Sequence, residues 1–400
     1  MSLRTLSGLS GLSAGFLSMI ENGQRHLERT SHVNALAQAL RIAPAELLGQ
    51  PFPPVDPTTG TAHEAVPAIR LALMAPLPTV AGPPAATTPL PVLTLRVRQA
   101  NRLYHACDYT TLAHTLPGLL ADLHAALEAA APDQRPELLR LTVQAYHPAC
   151  TLLLKTLGYT DLAFLSTIRA ADLTTELDDP LDRALSGFFH THVLMAAGNP
   201  DLAYSHAEGA ADLVLESLRR PSSDRNRTVG GEREPLALLG ELHLIRASAL
   251  AQDLHRAGGH RADQVREHLE QAWALAARTG ETRAWHLNFG PTNVMIHQVS
   301  LHTDLAAYDR ALRAGQSLRT TITAPPGRIA TFHSDLGRAM AHRRGHHAEA
   351  VGELLTAERA APQRVRTNPA VRQAVATLLA QPLPVHVCRD LRGLAHRVGL

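Results

Sequence analysis

An all-α protein is what this sequence predicts, on three observations. The chain of 400 residues is 45% hydrophobic but only 4% aromatic, so its interior must be built from leucine and alanine, the two strongest helix formers. The same scarcity of aromatic and β-branched residues argues against a sandwich, a barrel or a large parallel sheet. From about residue 92 onward, apolar residues recur at helical spacing between short turns rich in glycine, proline and aspartate. The length predicts about two to four structural units.

Charge and cysteine content narrow the function. With 38 basic and 36 acidic residues the net charge is +2, so no general attraction to nucleic acid or lipid is expected, and DNA affinity must come from a local patch. Lys155 is the lone lysine. Cys107, Cys150 and Cys388 are far apart with no C-x-x-C pair, which predicts neither a disulfide scaffold nor a zinc module. No run of about 18 apolar residues occurs, so no membrane partner is expected. The opening MSLRTLSGLSGLSAGFLSMI is broken by serines and glycines, and no A-x-A site follows directly behind it. A cytoplasmic location is the expectation.

Three zones follow along the chain. Residues 1–49 form a compact unit ending in the run ALAQALRIAPAELLG. Residues 50–91 read as a linker: the stretch 51–91 holds 11 of the 27 prolines, which forbids one continuous helix. Within it, AVPAIRLALM (65–74) is apolar enough to dock as a helix. Residues 92–400 are a helical array, interrupted at 219–234 by a polar stretch expected to be an exposed loop.

The first zone carries the sharpest motif, GLSAGFLSMIENG at 11–23. Gly11 suits the left-handed end of one helix and Ser13 the cap of the next. Leu17 and Ile20 then make the buried stripe of a short helix that Asn22-Gly23 stops. Leu6, Leu9 and Leu12 precede it, and HVNALAQAL (32–40) and PAELL (44–48) add two more helices. A tight turn between such helices leaves the outer face of the second free to enter a major groove.

Residues 3–49 thus resemble the Cro/C1-type (XRE) helix–turn–helix family, on Leu6, Gly11-Leu12-Ser13, Phe16-Leu17-Ser18, Ile20-Glu21-Asn22-Gly23, Leu36-Ala37, Leu40, Pro44 and Leu47-Leu48. With the linker and array behind it, the architecture resembles actinobacterial regulators of that family. The resemblance implies a phosphate contact at Arg4, a cap at Ser13, and a groove-facing surface of Ala14, Gly15, Ser18 and Met19. It implies sugar-phosphate contacts at Asn22, Gln24 and Arg25. Ala14, Gly15 and Met19 offer only apolar contact, so base readout is expected to be poor or indirect. Family members carry a further helix before this motif, for which Met1 leaves no room. The expectation is a truncated unit of marginal stability, through an upstream start codon or through decay.

The array repeats itself. Combs of small or apolar residues recur as Ala203/Ala207/Ala210, Val265/Leu269/Ala272, Ala307/Ala311/Ala314 and Ala350/Leu354/Ala357. The last copy, from Phe332 to Pro362, resembles the tetratricopeptide helix–turn–helix repeat, with an extra turn residue and His333 where a large aromatic is usual. The fold class expected is therefore all-α: a truncated helix–turn–helix unit followed by a tetratricopeptide-like α-solenoid.

No catalytic motif, phosphate-cradling loop or metal-ligand spacing stands out, so neither an enzyme, a cofactor nor a metal is expected. His190 and His192, two apart, fall on different helix faces. His342, His346 and His347 fall at a helix end and turn and read as solvated. Asn293 and His297 lie one turn apart behind Gly290-Pro291. By resemblance to peptide-sensing regulators they are candidate effector contacts; by their own chemistry, Asn293 equally serves a local hydrogen bond and His297 the packing. The functional expectation is a transcriptional regulator that binds double-stranded operator DNA as a homodimer and whose repeats sense a peptide or small-molecule effector. The alternative is a protein–protein adaptor with a vestigial DNA-binding segment.

Overall fold

The computed structural model describes residues 1–27, 29–51, 62–75, 88–219, 232–253, 260–318, 322 and 324–400. The chain is all-α: among the described residues no strand occurs. Most of the loop expected at 219–234 and two stretches of the linker lie outside them.

Four helices open the chain: α1 (Leu3–Ser10), α2 (Ala14–Glu21), α3 (Thr30–Leu40) and α4 (Pro44–Leu47). Their small core is Leu12, Leu17 and Leu36, with Leu3, Leu6, Phe16, Leu27, Leu40 and Leu47 around it. Leu9, placed by its spacing beside Leu6 and Leu12, is 55% exposed, and Ile20 is only half-buried. The apolar piece of the linker folds as α5 (Val66–Met74), opened by a proline in its first turn. It buries Val66, Ile69 and Leu73 in the same core as the array, and Arg169 Nε donates to the carbonyl of Leu73 at 3.0 Å.

The array runs through α6 (Leu90–Ala106), α7 (Tyr109–Glu128), α8 (Arg135–Gln144), a buried π-helical segment (Ala145–Leu152) and α9 (Leu153–Leu157). It continues as α10 (Thr160–Leu177), α11 (Pro180–Ala196), α12 (Pro200–Arg219), α13 (Arg233–Gln252), α14 (His260–Thr279), α15 (Pro291–Asp304) and α16 (Tyr308–Gln316). The last helices are α17 (Pro326–Ala341), α18 (His347–Ala360), α19 (Pro362–Arg366), α20 (Pro369–Leu379) and α21 (Val385–Arg397). Consecutive helices pack on one another, and α11, α13 and α15 also meet the next helix but one. The alanine combs are what permits this: Ala203, Ala207, Ala272, Ala311, Ala350 and Ala357 are fully buried, and the absence of longer side chains lets helix backbones approach closely. Pro362 stands at the start of α19, after α18 has ended at Ala360.

The two ends of the array meet. α6 packs against α17, and one hydrophobic core joins residues from Ala62 to Val193 with residues from Ile296 to Val398. Gln363 fastens the junction, accepting from the Tyr109 amide at 3.1 Å and donating to Thr110 Oγ1 at 2.7 Å. The α1–α4 unit is seated on the array through α3, which packs on α13, and through two glycine-cornered turns. Gly198 (φ 79°) and Gly158 (φ 91°) adopt left-handed backbone, and any Cβ on Gly198 would stand 2.4 Å from Pro44 Cγ.

Candidate functional site

The turn between α1 and α2 is built as its residue types dictate. Gly11 takes φ 68°, and the Ser13 hydroxyl accepts from the Phe16 amide at 3.2 Å to cap α2. The Ser7 hydroxyl donates to the Leu12 carbonyl at 2.6 Å, which pins the turn from the other side. Arg4, Ser13, Ala14, Gly15, Asn22, Gln24 and Arg25 are exposed, whereas Ser18 and Met19 are half-buried. Asn22 Nδ2 donates to the Ser18 carbonyl at 2.8 Å, and the Arg25 guanidinium lies 5.7 Å over the Phe16 ring. Arg4 and Arg25 are the two cations among the nine.

A second site lies where the α1–α4 unit meets the array. A cavity of about 450 Å³ is walled on one side by α3 and α4, through Thr30, Asn34 and Pro44, and on the other by array helices. None of the nine outer residues lines it. A smaller pocket of about 90 Å³, walled by Tyr104, Tyr109, Phe188 and Phe189, adjoins it. Four side chains, Lys155, His192, Arg328 and Arg364, line both spaces and form the neck between them.

The electrostatics of this neck are one-sided. The Lys155 ammonium makes no hydrogen bond or ion pair with any described residue, the Arg328 guanidinium donates only to the Leu287 carbonyl at 3.4 Å, and the Arg364 guanidinium reaches Thr331 Oγ1 at 3.4 Å and is hydrogen-bonded to the Tyr109 side chain. Burial, then the neighbouring Arg364 and Arg328, push the Lys155 ammonium down to about 8. Burial and the same cations hold the His192 imidazole well below its ordinary range. His297, on the wall of the large cavity, is pushed down to about 3 by burial and by Arg328. Asp304 is the one carboxylate among the described lining residues of either space, and it is bonded to Arg338 at 3.1 Å.

The structure separates the pair Asn293 and His297. His297 faces the cavity, whereas Asn293 is 2% exposed and donates to Glu241 Oε1 at 2.7 Å. His190 and His192 part in the same way: His190 bonds Thr167 Oγ1 at 2.9 Å, and His192 stands at the neck. Lys155, Arg328 and Arg364 escaped the reading of the sequence. One signal pointed to Lys155, a lone charge inside the apolar run TLLLKTLGY. The two arginines carry no such mark, because they come from separate helices more than 30 positions apart. Among the described residues no group of three or more His, Cys, Asp or Glu side chains is placed to hold a metal ion, and no helix is long and apolar enough to cross a membrane. The sequence matches no family model, and no curated protein is significantly similar to it.

Proposed function

We propose that the protein is a transcriptional regulator whose α1–α4 unit binds double-stranded operator DNA and whose array senses an effector. The observation that carries this reading is the turn at Gly11–Ser13, which presents Ala14 and Gly15 of α2 on the outside while α3 and α4 face the array. A short helix held with one face outward, with exposed arginines nearby in the chain, suits a major groove. Ala14 and Gly15 have no polar group for base edges, so the unit reads sequence weakly and gains affinity as a homodimer on paired half-sites. Effector binding between unit and array then shifts how the two DNA-binding units are held.

The test is fluorescence anisotropy of the full chain on DNA from its own promoter, with unrelated DNA as competitor, across a salt series. Retention of the promoter fragment over competitor, with affinity falling steeply as salt rises, is the expected result. Equal displacement by any DNA, or no binding at low salt, overturns the reading.

A second reading is a protein–protein adaptor. It is favoured by the apolar side chains that α6 and α10 leave exposed, Val92, Leu95, Phe164 and Ile168. The same anisotropy series separates the two, because an adaptor shows no preference for promoter DNA.

A further inference from the structure

We infer that the cavity between the α1–α4 unit and the array binds a small polyanion, a metabolite bearing phosphoryl groups or several carboxylates. Three permanent or near-permanent cations, Lys155, Arg328 and Arg364, converge on its neck from α9, α17 and α19, and Arg29 adds a fourth on the opposite wall. None of the four is ion-paired among the described residues, and the one carboxylate on the wall, Asp304, is bonded to Arg338. Glu241, whose carboxyl feels the charge of Arg328, is committed to Asn293.

Like charges gathered in a half-buried space repel one another and lose part of their solvation, so the arrangement is unfavourable by itself. An anion in their midst reverses the sign. It satisfies the ammonium and the guanidinium forks with charge-assisted hydrogen bonds. A single carboxylate would leave most of the positive charge uncompensated; a ligand of two to four negative charges matches it. The volume fits as well, since about 450 Å³ lies in the range of pockets that enclose metabolite-sized ligands. The smaller adjoining pocket has no room for a second such molecule and, with its aromatic walls, suits a flat or apolar appendage of the first.

A ligand seated there touches α3 and α4 on one side and α9, α17 and α19 on the other, so its occupancy bears on how the α1–α4 unit is held. That this reaches DNA rests on the regulator reading; binding itself does not.

Isothermal titration of the full chain with inorganic pyrophosphate and, separately, citrate, each against sodium chloride of equal ionic strength, tests the binding. Saturable heat with at least one polyanion and none with chloride is expected. Pyrophosphate alone assigns a phosphoryl ligand, and citrate alone a polycarboxylate. Lys155→Met should weaken binding at least about tenfold while its melting temperature holds or rises, because an uncompensated charge has left the interior. Arg328→Met serves as the second variant. Absence of saturable heat at millimolar concentrations of both polyanions, or undiminished binding in the folded variants, overturns the inference. Adding the bound polyanion to the promoter anisotropy assay reads the coupling separately: a shift in DNA affinity supports it, and no shift removes the coupling while the anion site stands.

Discussion

Glu241 of α13 accepts a hydrogen bond from Asn293 Nδ2 of α15 across 2.7 Å, and both side chains are buried. Burial pushes the Glu241 carboxyl up to about 7, although Arg328 and the bond from Asn293 both favour its ionised form. A carboxyl with a folded pKa above its ordinary 4.5 binds more protons folded than unfolded between those values. Its contribution is fully present below about pH 4.5 and is lost as pH rises to 7. Glu241→Gln keeps an acceptor for Asn293 and removes the proton equilibrium. Urea unfolding across pH 5–8 should show the variant gaining on the parent as pH rises, by up to about 3 kcal/mol at pH 8. Parallel stability curves for the two proteins would refute the assignment.

His147 gives a limb of opposite sign. It sits on the π-helical segment, fully buried against Phe189 at 4.5 Å between ring centroids, with neither ring nitrogen partnered among the described residues. Burial pushes it down to about 3. The unfolded chain takes up a proton below pH 6.5 that the folded chain refuses, so stability drains away as pH falls from 6.5 toward 3. His147→Phe keeps the stack and deletes two unsatisfied polar atoms. A gain of about 1–2 kcal/mol at neutral pH, growing on acidification, is expected from denaturant melts. A loss at neutral pH would mean that the imidazole has a partner.

Gly198 makes room for Pro44 where the α1–α4 unit is seated. Gly198→Ala adds a methyl 2.4 Å from Pro44 Cγ and holds a non-glycine residue at φ 79°. The expected cost is about 2 kcal/mol or more in thermal unfolding. Pro44→Ala in the same chain relieves the clash, so the double variant should recover part of that loss. Strict additivity of the two changes would show that Pro44 is not what the glycine accommodates.

Arg4 of α1 and Arg25, just beyond α2, are both exposed. Under the regulator reading, Arg4→Ala and Arg25→Ala each weaken binding to every DNA sequence alike and lower the salt slope by about 1. Ser13→Ala acts differently. It removes the bond to the Phe16 amide, costs about 1 kcal/mol of α2 stability, and leaves the slope unchanged. Salt-series anisotropy and thermal melts separate the two effects.

Where local chemistry governs, the residues spoke plainly. Gly11 with Ser13, Asn22 with Gly23, and Gly290 with Pro291 mark helix ends that the structure places there, and α5 docks out of a proline-rich stretch because its apolar residues are spaced for one face. Three of the four combs marked buried helix faces, whereas in Ala307/Ala311/Ala314 only Ala311 is buried and Ala307 lies just before its helix. The exposure of Leu9 was not legible, since four short helices have one side too many for the core they enclose.

The candidate sites divide along the same line. The outer residues of the first zone lie within about 20 positions of one another, so capping and periodicity bear on all of them, and seven of the nine are exposed. Asn293 and His297 show where periodicity stops: it put them on one face, and the neighbouring helices decided that one meets Glu241 and the other the cavity. The sequence by itself determined an all-helical chain, the ends of its first short helices and the turn between α1 and α2, because capping, periodicity and proline act over a few residues. Only the tertiary structure decided that the array's ends meet and that Lys155, Arg328 and Arg364 share one neck. Those groups are brought together by side-chain packing across more than 200 positions, and no local preference records that distance.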